Sequence, residues 1–499
     1  MTHHFPQRRL PILLPTLLVF GVVFGAHTLG AAQNPAGPPP SPAAQQLPPE
    51  ISLEPPPPLV KQNQPGHIPE PLLLAAPPET VEPPASREPL TAAQIIRAIL
   101  GLVAAFALAY LGGHPKVQSL ERRLRISHLV TAGLPFVFLG VIAHLPAVGI
   151  LSDAVLWQIR PLLALGLGWI GFSVGFRFNA LLVDSLSPGM AAVGALTAGV
   201  PFLTVAAFCG ALLLWTQHSP ADPAFVRDAL LLGTAGAMTA QSAPHLLKTR
   251  GGGELAFDRV WSIVQLEQLA GVAGLMLVAA YFRPQGPTVA WQLPGTAWLF
   301  ITLGMGTTMG GVIAATLGKI KAGPEFSLLL LGSICFTAGM ASFLRLSPIA
   351  VCFIAGVVVV NLPGRSKQHA RAALIRLERP IYLLFLLIAG SLWDLLQWEG
   401  WALMAVFVLS RLVGKWLGAK TCGRGGVAPL TPAEQRSLVL APLGALSIAI
   451  VINAQDLYFT GTVPWMVTAV IGGAIVTEIL VQLSARNLVP LEEAGAPAL

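Results

Sequence analysis

One helix-length run constrains this chain more than anything else in it. Asp258 to Tyr281 is apolar and long enough to cross a bilayer, yet it carries Gln265, Glu267 and Gln268 in its middle. A carboxylate near mid-membrane costs about 2.5–3.5 kcal/mol on insertion scales, so it is kept there for a purpose. The surroundings must therefore make this helix tolerable and give its polar face something to bind. The rest of the chain agrees with a membrane setting: 54% of its 499 residues are hydrophobic and 11% are charged, against about 25% charged in soluble domains. Fifty glycines suit close helix packing in lipid.

The ends of the chain are different in kind. Residues 1–32 read as a signal peptide or signal anchor: Arg8 and Arg9, an apolar run from Leu10 to Ala26, then the small residues Gly30, Ala31 and Ala32. Residues 33–90 are Pro-rich, a composition that favours extended polyproline and builds no core, so a disordered extracytoplasmic segment is expected. Residues 91–485 form the membrane domain, and 486–499 a short cytoplasmic tail.

Thirteen apolar spans are expected in that domain, near 92–112, 128–144, 157–176, 189–215, 226–247, 259–281, 296–317, 326–344, 347–363, 380–396, 400–418, 435–455 and 463–484. Basic residues crowd alternate loops, among them Arg122, Arg177, Lys319, Arg371 and Lys420, which places those loops in the cytoplasm. The net charge of +7 thus reports topology, and no nucleic-acid partner is expected. The N-terminus is then outside after signal cleavage and the C-terminus cytoplasmic, in a multi-pass protein of a bacterial-type inner membrane. Spans three (IGFSVGFRFN, 170–179) and ten (LLIAGSLWDL, 386–395) end alike and run in opposite directions. Spans 1–6 and 8–13 would then be inverted repeats, a pattern found in transporters.

Two spans are interrupted. Span five reads LLLGTAGAMTAQSAPHLL (230–247), with Thr239, Gln241, Ser242 and Pro244 in an otherwise apolar helix; span twelve breaks at Pro442-Leu443-Gly444. Proline removes a backbone donor, and irregular backbone at this depth survives only where it is buried or lines a cavity. Interrupted helices in corresponding halves point to a binding site at the membrane midplane. In span eleven, Arg411 and Lys415 lie four apart on one helix face. Lys415 can snorkel to the cytoplasmic surface, whereas Arg411 sits deeper and needs a partner, for which Glu267 is the first candidate. Arg160 starts near the outer surface and can also reach inward as a second cation. The GxGxxG match at Gly166, Gly168 and Gly171 lies within an apolar helix with no preceding strand, so helix contact at Gly171 and Gly175 is the better reading than a dinucleotide site. No nucleophile–base pair, cofactor loop or metal-ligand spacing stands out, so neither an enzyme nor a resident metal or cofactor is expected.

Taken together, residues 92–485 resemble the monovalent cation:proton antiporter superfamily, especially its Kef-type and sodium/proton exchanger branch. The likeness rests on ERRLRISHLVTAGLPFVFLG (121–140), GLGWIGFSVGFRFN, TAQSAPHLL, RPIYLLFLLIAGSL, SRLVGKWLGA and LAPLGALSIAI in that order. It implies an all-α polytopic fold of about thirteen transmembrane helices in two inverted repeats with crossed, interrupted helices, and a panel that forms homodimers. It also implies exchange of Na⁺ or K⁺ for protons by alternating access. Family carriers place an ionisable Asp second in a pair in span six; here that pair is Glu267-Gln268, and the acid has moved one residue, about 100° around the helix.

On this reading Glu267 carries the proton, and Gln268, Thr239, Gln241, Ser242 and broken-helix carbonyls hold the cation. Arg411 and Lys415 compensate its charge, and Pro244, Pro442 and Gly444 make the breaks. The alternative is a non-transporting relative serving as membrane sensor or scaffold, with Glu267 locked to Arg411. A third option is an anion or organic-acid carrier on a similar fold, since Gln268 with Arg411 can hold a carboxylate.

Overall fold

Proline placement explains much of where the helices begin. Pro188, Pro223, Pro324, Pro348 and Pro432 each open a helix, where a missing N–H costs nothing and the fixed φ is already helical. The structure is a computed structural model. It describes residues 129–146, 148–180, 188–217, 223–244, 254–284, 293–320, 323–364, 367–423, 429–458 and 461–486, with Ile96, Leu100, Gly101, Val103 and Ala107. The expected signal (1–32), the Pro-rich segment (33–90), most of the first span and the tail beyond Arg486 lie outside the described residues.

In chain order the helices are α1 (Leu129–His144), α2 (Asp153–Gln158), α3 (Arg160–Gly175), α4 (Pro188–Gln217), α5 (Pro223–Ala237), α6 (Glu254–Tyr281) and α7 (Gly295–Leu317). They continue as α8 (Pro324–Phe343), α9 (Pro348–Asn361), α10 (Lys367–Ser391), α11 (Trp398–Thr421), α12 (Pro432–Val439), α13 (Ala445–Leu457) and α14 (Val463–Arg486). Six of them, α4, α6, α7, α8, α11 and α14, are long and apolar enough to cross a membrane; α9, α13 and residues 135–144 of α1 are shorter apolar helices. The described residues are thus those of an all-helical polytopic membrane protein. α10 starts 13 residues before the expected tenth span. Its first half, KQHARAALIRLER, buries Ala370, Ala373 and Leu374 and leaves its charges outward, an amphipathic lead-in that hydropathy alone passes over.

The helices sort into two bundles by their packing. α4, α5, α6, α11, α13 and α14 contact one another extensively, as do α1, α3, α7, α8, α9 and α10; contacts between the sets are sparser and run mainly through α6 with α7 and α9, and α3 with α13. The second bundle is joined by small residues. In the α3–α9 contact, a Cβ on Gly171 or Gly175 would meet the carbonyl oxygen of Ile349 or Phe353, and one on Gly356 would meet that of Phe172. In the α1–α10 contact, a Cβ on Gly140 or Gly390 would meet the carbonyl of Leu387 or Val137. Such backbone approach gives van der Waals contact where lipid offers no hydrophobic drive between helices. Gly171 and Gly175 therefore serve helix contact, as the sequence indicates. Trp169, Phe172, Phe326 and Leu330 fill the space beside them.

Candidate functional site at the helix crossing

Two helices end inside the first bundle, and their ends meet. α5 stops at Ala237, residues 238–240 are non-helical, and the chain turns at Gln241 and Ser242. α12 stops at Val439, and α13 restarts after Gly444. The breaks join where Ala240 N–H donates to Pro442 O at 3.0 Å. Gly444 is pressed so close that an added Cβ would sit 3.2 Å from Ala240 Cα. Pro442 and Gly444 lie within their break as expected. Pro244 does not: α5 ends seven residues before it, and Pro244 sits buried in the first helical turn after the break. There it occupies a position proline tolerates, so what ends α5 is the crossing itself.

Each helix that ends here leaves carbonyl oxygens without intrahelical donors. Two cations from α11 supply them. Arg411 donates from Nη1 to Ala441 O at 3.0 Å and from Nη2 to Met238 O at 3.1 Å. Lys415 Nζ donates to Ala237 O at 2.6 Å and to Thr197 O of α4 at 3.2 Å. A positive charge at a helix C-terminus also complements the helix dipole. One guanidinium thereby ties both breaks together, and the ammonium one turn along ties α5 to α4.

Glu267 completes the cluster from α6. Its Oε2 lies 2.8 Å from Lys415 Nζ, and neither group reaches solvent, with side-chain exposures of 0% and 1%. Its Oε1 has no hydrogen-bond partner. The sequence reading thus needs two corrections. Glu267 takes Lys415 as its ion partner, while Arg411 serves backbone carbonyls. Lys415 does not snorkel; its stem and head are both buried because α4, α5 and α6 surround it with acceptors.

Gln268, one residue further along α6, faces the other way. It accepts from Gln241 Nε2 at 3.3 Å, and both line a cavity of about 960 Å³ between the two bundles. Thr239 and Ser242 line it too, whereas Glu267, Lys415 and Arg411 do not. The expected site residues therefore divide: Thr239, Gln241, Ser242 and Gln268 face the cavity, and Glu267, Arg411 and Lys415 form the layer behind. Other cavity residues were given no site role by the sequence reading. Trp169, Gln265, Tyr382 and Ser447 are all buried and present side-chain N or O atoms with no hydrogen-bond partner. Ser447 stands one turn into α13 and Gln265 beside Glu267, so both were visible as polar residues near a break or a buried acid. Trp169 and Tyr382 gave no signal, since aromatic residues in apolar spans are ordinary. At the cavity mouth Arg177 pairs with Glu378 at 3.1 Å; burial lowers the Arg177 guanidinium from its ordinary value, and Glu378 works against that.

The opposite end of the seam between the bundles is bonded shut. Arg160 Nε lies 3.2 Å from Asp456 Oδ1 and its guanidinium 3.9 Å from the Trp157 ring. Ser347 donates to Asn453 Oδ1 at 3.3 Å, and Gln455 Nε2 to Leu392 O at 3.3 Å. Trp393 Nε1 donates to Thr468 Oγ1 at 3.1 Å. Arg160 is therefore a cation of this end and does not join the crossing.

No protein-family model matches the sequence, and no curated protein matches it. Among solved structures, the sodium proton antiporter MjNhaP1 from Methanocaldococcus jannaschii at pH 8 is similar over 79% of this chain and 97% of its own, with 15% identity and a TM-score of 0.55. An electron-microscopy map of the same antiporter covers 80% of this chain and 99% of its own at 15% identity, with a TM-score of 0.49. At that identity the likeness to the pH 8 structure is one of fold: this chain is folded like a sodium proton antiporter.

Proposed function

We propose that this chain is a secondary transporter that couples proton movement to solute movement by alternating access, with Glu267 and Lys415 as its proton-responsive element. One observation carries the reading: the broken ends of α5 and α12 are held by Arg411 and Lys415, Lys415 is held by Glu267, and all of this lies directly behind a cavity between two bundles. Protonating Glu267 removes the charge opposite Lys415 and loosens α6 from the clamp on α5. Breaks of this kind are where transporter bundles bind and move. The α3–α9 and α1–α10 glycine contacts involve spans three with nine and ten with two, which are equivalents under the inverted repeat read from the sequence. The panel they build would pair with a second copy, and the loop topology puts the cavity mouth on the cytoplasmic side. The reading needs no catalytic residue and no resident cofactor.

Exchange of Na⁺ or K⁺ for protons is the form implied by the sequence resemblance and supported by the fold likeness. Thr239, Gln241, Ser242 and Gln268 are the oxygen donors facing the cavity for it. The test is proton flux in proteoliposomes challenged with Na⁺, K⁺ or Li⁺ and with anionic solutes, comparing wild type with Glu267→Gln. Solute-dependent proton movement that disappears in Glu267→Gln is expected. Flux that survives the substitution removes Glu267 from the coupling. A second reading, a non-transporting sensor or scaffold, is favoured by the complete burial of the Glu267–Lys415 pair; wild type that moves no protons with any solute selects it.

A further inference from the structure

The charged groups of the cavity are mostly cationic, and this bears on its cargo. Three of the broken-helix carbonyls that could coordinate an alkali ion, those of Ala237, Met238 and Ala441, already accept from Lys415 and Arg411. The nearby carboxylate, Glu267, is turned away from the cavity. The one carboxylate among the described lining residues, Glu378, is taken by Arg177 at the mouth, where Lys367 and Arg371 add two further cations. At the inner end, α13 points its N-terminus into the space. Its cap residue is Gly444, with no side-chain cap, and Gly444, Ala445, Leu446 and Ser447 all line the cavity. A helix N-terminus offers N–H donors and a partial positive charge, which attract anions and repel cations.

The orphaned side chains agree. Trp169 Nε1, Tyr382 Oη, Ser447 Oγ, Thr239 Oγ1 and both Gln265 Nε2 and Oε1 are buried, line the cavity and have no hydrogen-bond partner. The indole N–H can only donate, and an alkali ion satisfies no donor. A cavity of about 960 Å³ also far exceeds what a bare ion needs, and lies in the range of about 300–1,000 Å³ typical of sites for organic ligands.

We infer that the cavity binds a small organic carboxylate, its oxygens accepting from Trp169, Ser447 and the first turn of α13 while Arg177, Lys367 and Arg371 draw it in. This names the cargo class and rests on the transport reading only in calling the ligand a cargo; the binding stands separately. Arg411, once a candidate for this contact, plays no part, since it lies behind the cavity and does not line it.

The test uses the purified full-length chain in detergent. Tryptophan fluorescence and thermal unfolding are followed during titration with the N-methylglucamine salts of acetate, succinate, citrate and benzoate, and separately with NaCl and KCl. Saturable binding of at least one carboxylate is expected, weakened about tenfold by Ser447→Ala and by Trp169→Phe, as for the loss of one hydrogen bond to a charged group. Arg371→Gln should reduce the salt dependence of binding. Unfolding temperatures of the variants without ligand show whether they fold. If none of the four carboxylates binds, or if both lining variants bind as wild type does, the inference is overturned; saturable Na⁺ or K⁺ binding without carboxylate binding overturns it while leaving proton-coupled transport standing. Carboxylate binding without proton flux in liposomes upholds the inference and removes the transport reading.

Discussion

The two ends of the seam between the bundles differ in how their polar groups are satisfied. Around the C-terminal half of α13, Asp456, Asn453 and Gln455 each reach across to the second bundle, and Trp393 meets Thr468 from the other side. Around the N-terminal half of the same helix, Ser447 and its neighbours across the space, Trp169 and Tyr382, find no partner and enclose a cavity. One short helix thus closes one end and opens the other. The difference lies in where the interface is committed: at one end polar contacts cross it, although Asn453 Nδ2 and Gln455 Oε1 keep no partner there, and at the other Ser447, Trp169 and Tyr382 are left to a ligand.

The largest effect is expected behind the open end. Lys415→Ala leaves Glu267 charged and unpaired in a dry site and frees the Ala237 carbonyl, a loss of about 3–5 kcal/mol; the thermal unfolding of the solubilised protein should fall sharply, and an unchanged transition would show that the clamp does not hold the open end. Next comes the bundle that both ends lean on. Gly175→Leu drives a side chain into the Phe353 backbone and should cost about 1–3 kcal/mol or more, whereas Gly199→Ala, which meets open space, should be near neutral. Equal effects of the two would undo the account of the α3–α9 contact.

A smaller change should reverse the comparison itself. Asp456→Asn removes the ion pair with partly exposed Arg160, worth up to about 1 kcal/mol, and should loosen the closed end. With exposed Cys335 replaced by Ser, Asn453→Cys, which gives up the Ser347 bond in both backgrounds, should react several-fold faster with an impermeant maleimide when Asp456→Asn is present than when it is not. No acceleration would mean that the remaining contacts seal that end alone. The smallest effect is expected for Gln241→Ala, which gives up one hydrogen bond to Gln268, about 0.5–1.5 kcal/mol, at a site where water can replace it; a drop as large as that of Lys415→Ala would show that the cavity wall, and not the layer behind it, supports the crossing.

Legibility followed the range of the forces involved. The buried acid of α6, the cation pair on one face of α11 and the break at Pro442-Gly444 could all be read, because each depends on a residue's own chemistry and its neighbours within one turn. Pro244 misled, since a proline marks a boundary without saying on which side of it the helix lies. Choosing between Arg411 and Lys415 as the partner of Glu267 was beyond local reasoning, because both share a face and differ by one turn, about 5–6 Å of axial position.

Apolar run length, loop charge and the few polar interruptions were enough to dictate an all-helical membrane protein with two broken spans, because lipid leaves the backbone no alternative to internal hydrogen bonding. Folding settled which way the polar groups point. Glu267 and Gln268 are adjacent in the chain, yet the 100° between them on α6 sends one to Lys415 and the other to the cavity, and that division arises from how α4, α5 and α11 pack around the helix.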